Sequence, residues 1–390
     1  AYTFTCTTVG EIVAWVIGWD LILEMLMAGS VVSKYWGVYL NQFFELIGWN
    51  INTNIAIGSF NFDLAPVIIV AFFTALLVMG TKIGARVDGA LTILKIAIVV
   101  FIVVVGFFYI KAENGPTTHT QPLWQWATGM APSIYGVTGI ISGAALVFFA
   151  FLGFDVVATA SEETINPKKN VPLGIGVGLG LIIVLYTLVA IVTTGMVSYK
   201  DLAKQSDPSL AVAFKMVGAD WAAKIISLGI VIGMATVVMV LLLGLTRVVF
   251  AMSRDGLLPR GLSHTGKHGT PVRLQIIVGV VMALIAACCN VGILSDMVNI
   301  GTLSAFTLVA ISIPIMRKKR PDLERSFKIP GNPWVPILIA LANLWLMVNL
   351  SVLTWIRFVV WLIVGFAIYF GYGYRHARLG AGELEVAAQE

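Results

Sequence analysis

GIISGAALVFFAFLGFDVVATASEETINPKKNVP, residues 139–172, contains the segment that decides the fold. Residues 139–161 carry one charge, Asp155, and about 20 apolar residues suffice to cross a bilayer. Lipid offers the backbone no hydrogen-bond partner, so such a segment must be helical. Gly153, followed two residues later by Asp155, weakens that helix in mid-membrane, and the freed carbonyls and amides could bind a zwitterion. The open alternative is a glycine-packed helix whose Asp155 pairs with a neighbouring helix.

Ten near-uncharged runs of this kind account for most of the 390 residues. Hydrophobic residues make up 58% of the chain, charged residues only 12%, and the mean hydropathy is +0.93. A soluble protein carries about 25% charged residues, and barrel strands would alternate in polarity over about ten residues. The sequence therefore predicts an all-α, polytopic transmembrane helical bundle, with spans at about 9–35, 64–80, 87–110, 139–161, 173–197, 225–251, 273–291, 297–316, 334–353 and 355–374.

Lysines and arginines set the predicted orientation of the bundle. Of the 25 such residues, seventeen fall in one set of alternate loops, seven in the other set, and Lys95 lies inside a span. Because cytoplasmic loops are rich in these residues, both termini are predicted to be cytoplasmic. The net charge of +5 therefore indicates membrane orientation rather than nucleic-acid binding. The long outside loops 36–63, 111–138 and 198–224 are predicted to hold surface helices.

Besides Asp155, three ionisable residues deep inside spans are candidate functional groups, because charge is costly there. Asp20 and Glu24 are four residues apart in the first span and share a helix face. They form a cation-attracting pair, counter-charges for Lys95, or simply interhelical hydrogen bonds. Lys95 of the third span either snorkels to the cytoplasmic interface as an anchor or faces the interior as a proton carrier. The residues alone leave these alternatives open.

Other patterns predict no cofactor, metal or catalytic site. The alternating glycines of residues 174–180 imitate a nucleotide loop, but no strand precedes them and close helix packing explains them better. The four histidines lie in loops or the tail, and the three cysteines lack ligand spacing. An intramembrane protease would need partner motifs that Asp20 and Asp155 lack. The chain is therefore not predicted to be an enzyme.

Three motifs together resemble one known family. The stretches FFAFLGFD (148–155) and EETINPKKNVPLGI (162–175) resemble the sixth-helix signature of amino acid permeases of the amino acid, polyamine and organocation superfamily, most closely the cationic amino acid transporter branch. The stretch GEIVAWVIGWDLILE (10–24) resembles the third helix of that branch, and SRDGLLP (253–259) resembles its eighth-helix exit. With the similar spacing of spans, the resemblance covers nearly the whole chain.

The resemblance implies a leucine-transporter-like fold of two inverted five-helix repeats with two further helices. Residues 1–138 would form the remainder of the first repeat (family helices 3–5), 139–316 the second repeat (family helices 6–10), 334–374 the additional helices and 375–390 a cytoplasmic tail. Ten of twelve helices are thus expected, without the first two. In the family, the first helix offers a glycine-rich amide cluster to the substrate carboxylate, so this chain would hold only part of the pocket.

The resemblance also implies roles for individual residues. Phe149 occupies the place of an aromatic gate, and the backbone around it accepts hydrogen bonds from the substrate ammonium. Lys95 matches a fifth-helix lysine of proton-coupled relatives, and Asp155 occupies an acidic position just past the break, so both are implied to couple protons. The implied substrate-binding set is Phe149, Ala150, Phe151, Leu152, Gly153, Glu24, Met234 and Thr236.

These expectations describe a multi-pass transporter of the cell membrane that takes up L-amino acids with protons by alternating access. Its expected partners are the amino acid, protons and the lipid bilayer, with no nucleic acid and no cofactor. The sequence identifies no small membrane-protein partner and leaves cationic and small neutral substrates open. The alternative is a truncated, non-transporting permease-like protein that serves as a receptor or assembly partner. An intramembrane enzyme is a third, disfavoured reading.

Overall fold

The part of the chain that the structure describes is predominantly helical, which confirms the predicted all-α class. The structure is a computed structural model that describes residues 11–49, 53–57, 60–80, 85–111, 136–153, 164, 166–205, 208–264, 271–319 and 331–376. Its helices are α1 (Glu11–Leu46), α2 (Leu64–Val78), α3 (Ala85–Phe107), α4 (Gly136–Val147), α5 (Pro167–Met196), α6 (Tyr199–Leu202), α7 (Leu210–Met216), α8 (Asp220–Arg254), α9 (Val272–Cys288), α10 (Val291–Lys319), α11 (Trp334–Val348), α12 (Val352–Ile368) and α13 (Tyr374–His376). Shorter turns are the 3₁₀ segments Phe148–Phe151 and Arg260–Ser263 and the π-helical segment Tyr369–Gly373.

Each of the ten predicted spans contains an apolar helix. Six helices, α1, α3, α5, α8, α10 and α12 with its extension, are long and apolar enough to cross a membrane, and α2, α4, α9 and α11 are shorter apolar helices. Several helices extend past the predicted limits. Helix α1 continues to Leu46 rather than 35, and α8 begins at Asp220 rather than 225. A scan for apolar runs misses these ends because a helix can continue into polar surroundings.

Helix α1 lies at the centre of the packing, in contact with α2, α8, α9 and α10. Its side chains are buried over most of its length, including Trp15. Glycines on the neighbouring helices allow close approach. A Cβ at Gly244 of α8 would lie 3.1 Å from the sulfur of Met25, and one at Gly301 of α10 would lie 3.0 Å from Leu23. Membrane helices associate through such small residues because lipid provides no hydrophobic driving force between helices.

An aromatic stack joins α1 to α12. The rings of Trp15 and Trp19 are stacked with centroids 5.7 Å apart, and Trp19 is stacked on Trp361 at 4.4 Å. The indole N–H of Trp19 donates to the Trp361 carbonyl at 2.9 Å, so its polar atom is satisfied inside the stack. The stack fits because Gly365 lies against the Trp19 indole, where a Cβ would overlap it.

The loop between α1 and α2 differs from its prediction. Instead of a surface helix, it contains an antiparallel hairpin of β1 (Asn54–Ile57) and β2 (Phe60–Asp63). The alternation of small and apolar residues over so short a stretch gave no helical period to support the prediction. In loop 198–224, the short helices α6 and α7 are present as predicted. Residues 112–135 of the remaining loop lie outside the described part of the chain.

Asp63 ties this hairpin to the helices. Its carboxylate caps α2 by accepting from the Ala65 amide at 3.2 Å, and it accepts from the Thr53 hydroxyl at 3.4 Å. Burial raises the pKa of the Asp63 carboxyl above its usual value, and the ammonium of Lys34, 3.9 Å away, opposes that rise. The end of the hairpin is therefore held to α2 and α1 by the hydrogen bonds and the ion pair of Asp63.

Replacement of Gly365 tests the aromatic stack. Gly365→Ala is expected to destabilise the protein by about 1–3 kcal/mol, because the new methyl group overpacks the Trp19 indole. The measurement is thermal unfolding of the purified protein in detergent. Gly371→Ala is the matched control, since a Cβ at that position meets nothing within 4 Å. Equal unfolding temperatures for the two variants would contradict the close contact.

Candidate functional site

The helix that contains the motif of residues 148–155 is interrupted where the sequence predicts. Helix α4 ends at Val147 and continues as the 3₁₀ turn Phe148–Phe151. The Leu152 amide then donates to the Phe149 carbonyl at 3.2 Å, and Leu152 itself is extended, with ψ of 154°. Gly153 follows with φ of +119°, a conformation that glycine adopts without the steric cost of a side chain. The α-helical ladder is therefore broken across these residues.

Two side chains from other helices donate to backbone carbonyls near this break. The Asn299 amide of α10 donates to the Leu146 carbonyl at 3.2 Å, and the Tyr186 hydroxyl of α5 donates to the Ala150 carbonyl at 3.0 Å. Sequence reasoning missed both residues, because within the spans it singled out charged side chains and not uncharged polar ones. An asparagine and a tyrosine within apolar helices were the available signals.

The described residues of the break have mixed exposure. Ala150 is exposed, whereas Phe149, Phe151, Leu152 and Gly153 are partly buried. The Phe151 ring forms an edge-on contact with Tyr186, with centroids 5.3 Å apart. The break therefore offers a reachable carbonyl next to an aromatic pair. Asp155, the predicted proton-coupling acid, lies outside the described residues.

Lys95 packs against α8 rather than extending along α3 alone. A Cβ at Gly233 would lie 3.2 Å from Cγ and 3.8 Å from Cε of Lys95, so the lysine stem crosses the helix at the glycine. The Thr236 hydroxyl donates to the Gly233 carbonyl at 2.9 Å, and Met234 is adjacent. The structure thus places Lys95 against α8 at Gly233, in the segment that also carries Met234 and Thr236.

The two carboxylates that the sequence places deep in the first span are buried in α1. Asp20 is 0% exposed and Glu24 is 3% exposed. Asp20 faces Ser304 of α10, but neither of its carboxyl oxygens has a hydrogen bond of standard geometry to a described residue. A Cβ at Gly301 would lie 3.7 Å from the Asp20 carbonyl oxygen, so α10 covers this part of α1 closely. A buried, weakly satisfied carboxyl of this kind is typical of a functional position.

The predicted residues therefore fall into three groups, each on its own set of helices. Residues 149–153 form the break of α4, the Lys95 group lies between α3 and α8, and Glu24 lies on α1 with Asp20. Within the described ranges, no group of three or more histidine, cysteine, aspartate or glutamate residues could hold a metal ion. The chemistry that this arrangement provides is hydrogen bonding by backbone carbonyls, with ionisable groups on neighbouring helices.

Comparison with known proteins decides the family. A family model described as amino acid permease matches residues 1–371. The chain belongs to the amino acid permease family. This permease is therefore a multi-pass membrane protein of a transporter family, and its relatives are transporters rather than enzymes. The resemblance that the three sequence motifs indicate is confirmed.

Several characterised transporters are similar to this permease over most of its length. It is 42% identical to the branched-chain amino acid permease BcaP of Bacillus subtilis (strain 168) over 388 residues, which cover 97% of the chain and 80% of that protein. The methylthioribose transporter of the same organism is 40% identical over 386 residues, with the same coverage. Cationic amino acid transporter 3, mitochondrial, of Arabidopsis thaliana is 36% identical over 331 residues, 83% of the chain and 52% of that protein.

Replacement of Gly153 in this permease tests the break. Gly153→Ala is expected to cost about 1–3 kcal/mol, because a residue with a Cβ is strained at φ of +119°. Solute uptake should fall together with stability, since the turn that presents the carbonyls is disturbed. Thermal unfolding and uptake into proteoliposomes measure the two effects. Gly143→Ala, in the regular helix with open space around its Cβ, should leave both unchanged or slightly raise stability. Unaltered stability of Gly153→Ala would contradict the strained turn.

Proposed function

We propose that this permease is a secondary active transporter that couples proton entry to uptake of L-amino acids by alternating access. The observation that carries the proposal is the end of α4 at Val147, where a 3₁₀ turn and the extended Leu152 replace α-helical backbone in the middle of a predicted span. In hydrocarbon such backbone is tolerated only where it is covered by protein or lines a cavity. A break of this kind is typical of the substrate site in secondary transporters.

The proposed substrate contact is electrostatic. The C-terminal end of a helix carries a partial negative charge, equivalent to roughly half an elementary charge. The end of α4 and its 3₁₀ turn therefore suit the α-ammonium of an amino acid, with the carbonyls of Phe149, Ala150 and Leu152 as acceptors. Phe149 is proposed to cover the bound solute, and Phe151 and Gly153 to shape the turn. Glu24, Met234 and Thr236 are proposed to line the side-chain end of the pocket.

We assign branched-chain amino acids as the substrate class. Similarity to BcaP, a branched-chain amino acid permease, supports this choice, since that protein shares 42% identity with the chain across 97% of its length. The cationic transporter match is weaker and covers less of both proteins. The apolar and neutral residues Met234 and Thr236 are compatible with an aliphatic side chain, and Glu24 is the one acid assigned to this end.

Proton coupling is assigned to Lys95, with Asp155 as an assisting acid. The neutral amine leaves its surroundings loosely ordered, whereas the protonated amine draws carbonyls toward it. That ordering favours the substrate-bound state and the transition from outward to inward access. Because binding couplings are reciprocal, the amino acid and the proton strengthen each other's binding. The close packing of the Lys95 stem on Gly233 supports the proposal, since movement of the lysine would act directly on α8.

The remaining assignments concern placement of the chain. We assign it to the cell membrane with both termini in the cytoplasm, on the basis of the loop charges. The inverted repeats are assigned to residues 1–138 and 139–316, followed by two helices at 334–374 and a tail at 375–390. A non-transporting receptor or assembly partner is not favoured, because the named relatives are transporters and match this chain over most of its length.

Replacement of Lys95 tests the coupling. Lys95→Met is expected to abolish leucine accumulation driven by an inward proton gradient while leaving part of the exchange of internal for external leucine, because the pocket remains and the titratable group is lost. Both are measured with radiolabelled L-leucine in proteoliposomes. Lys204→Met is the control, since that lysine is exposed and pairs with Asp201 on the surface. Proton-driven accumulation at the wild-type level in Lys95→Met would rule out the role of Lys95.

A substrate panel tests the proposed activity itself. Uptake of L-leucine, L-arginine and methylthioribose is compared in proteoliposomes of the wild-type chain with and without an inward proton gradient. Leucine is expected to accumulate above its external concentration only with the gradient, and to be preferred over the other two solutes. Absence of any amino acid uptake would contradict transport and favour the receptor alternative. Preference for arginine would contradict the substrate assignment alone.

A further inference from the structure

The two side chains that bond to carbonyls near the break of α4 have opposite exposure. The Asn299 side chain is 0% exposed, although Leu146, whose carbonyl it bonds, is 56% exposed. Tyr186 is 40% exposed, and Ala150, whose carbonyl it bonds, is exposed as well. Tyr186 lies in the middle of predicted span 173–197, where water does not compete for its hydrogen bond, but another donor can reach the exposed Ala150. The Asn299 donor is therefore enclosed by the protein, whereas another donor can take the place of the Tyr186 hydroxyl.

We propose that the Tyr186 hydroxyl occupies the substrate position on the Ala150 carbonyl when no amino acid is bound, and that the α-ammonium of the amino acid displaces it. Tyr186 is then a specificity-determining residue, because a solute enters this position only if it offers a better donor than a phenol. This inference rests on the proposed function, in which the carbonyls of the break receive the ammonium group.

The chemistry of the two donors gives the direction of exchange. A phenol and an ammonium group both donate to a carbonyl oxygen, so they compete for the Ala150 oxygen. Hydrogen bonds from a charged donor are roughly twice as strong as neutral ones. The ammonium group also gains from the negative end of α4, whereas the neutral hydroxyl gains little. Amino acids therefore displace the hydroxyl, and carboxylic acids without an amine do not.

The hydrogen bond of Tyr186 can be removed by substitution without loss of its ring contact. The Tyr186 ring is held edge-on against Phe151, with centroids 5.3 Å apart, so the ring contact is separate from the hydrogen bond. A phenylalanine at position 186 keeps that ring contact and removes only the donor. The Ala150 carbonyl then has no competing phenol in the unliganded protein.

The test compares the unaltered chain with Tyr186→Phe in detergent or proteoliposomes. Binding of radiolabelled L-leucine is expected to become about two- to tenfold tighter in the variant, as removal of one competing neutral hydrogen bond implies. Inhibition by 4-methylpentanoate, which has the leucine side chain and carboxylate but no amine, should be the same in both proteins. Thr187→Val is the matched control, since its hydroxyl, also exposed on α5, donates to the Ile183 carbonyl of its own helix.

The outcomes separate this inference from the proposed function. Unchanged or weaker leucine binding in Tyr186→Phe, with leucine bound by the wild type, overturns the displacement and leaves the transporter proposal standing. An equal shift for 4-methylpentanoate also overturns it, because the effect would not depend on the ammonium. Leucine binding by neither protein defeats the proposed function and this inference together.

A second measurement avoids dependence on the folding of the variant. With 3-fluorotyrosine placed at position 186 of the otherwise unchanged chain, the fluorine resonance reports the surroundings of the phenol. Saturating L-leucine is expected to shift this resonance, and 4-methylpentanoate is expected to leave it in place. A resonance that L-leucine does not move would overturn the displacement.

Discussion

The backbone of this permease has no water to bond to in the hydrocarbon region, and the rest of its structure follows from that constraint. Regular helices satisfy it within each segment. Where α4 ends at Val147, the constraint must be met by other means, and the nearby carbonyls receive bonds from Asn299 and Tyr186. The interruption is therefore supported by side chains of α10 and α5. Because side chains of other helices support the break, a change in those side chains can alter it.

Close packing around α1 provides the rigid frame for this break. Glycines of α8 and α10 bring these helices against α1, and the stack of Trp15, Trp19 and Trp361 joins α12 to it. Because packed interiors resist small displacements, groups carried by these helices keep their positions relative to one another. Glu24 and Asp20 belong to this frame. Lys95 lies at its edge, where α3 meets α8 at Gly233.

The division between fixed and replaceable contacts relates this structure to transport. A transporter must hold its solute site in register while exchanging the solute, so some contacts of the site must persist and others must change. Asn299 represents the first kind because its side chain is buried, and Tyr186 represents the second because another donor can reach the carbonyl that it bonds. Membership of the amino acid permease family agrees with such a division, since transport requires binding that is reversible on both sides of the membrane.

The sequence by itself determined the helical membrane class, the approximate positions of the spans and the place where α4 breaks. Apolar run length and the Gly153 conformation are local properties, so the chain records them directly. Tertiary structure alone decided that Lys95 crosses α8 at Gly233 and that Tyr186 and Asn299 bond to carbonyls near the break. These contacts join residues far apart in the chain, and no local pattern of polarity specifies which helices meet. The hairpin before α2 was missed for the same reason, since its pairing depends on contacts between two short strands.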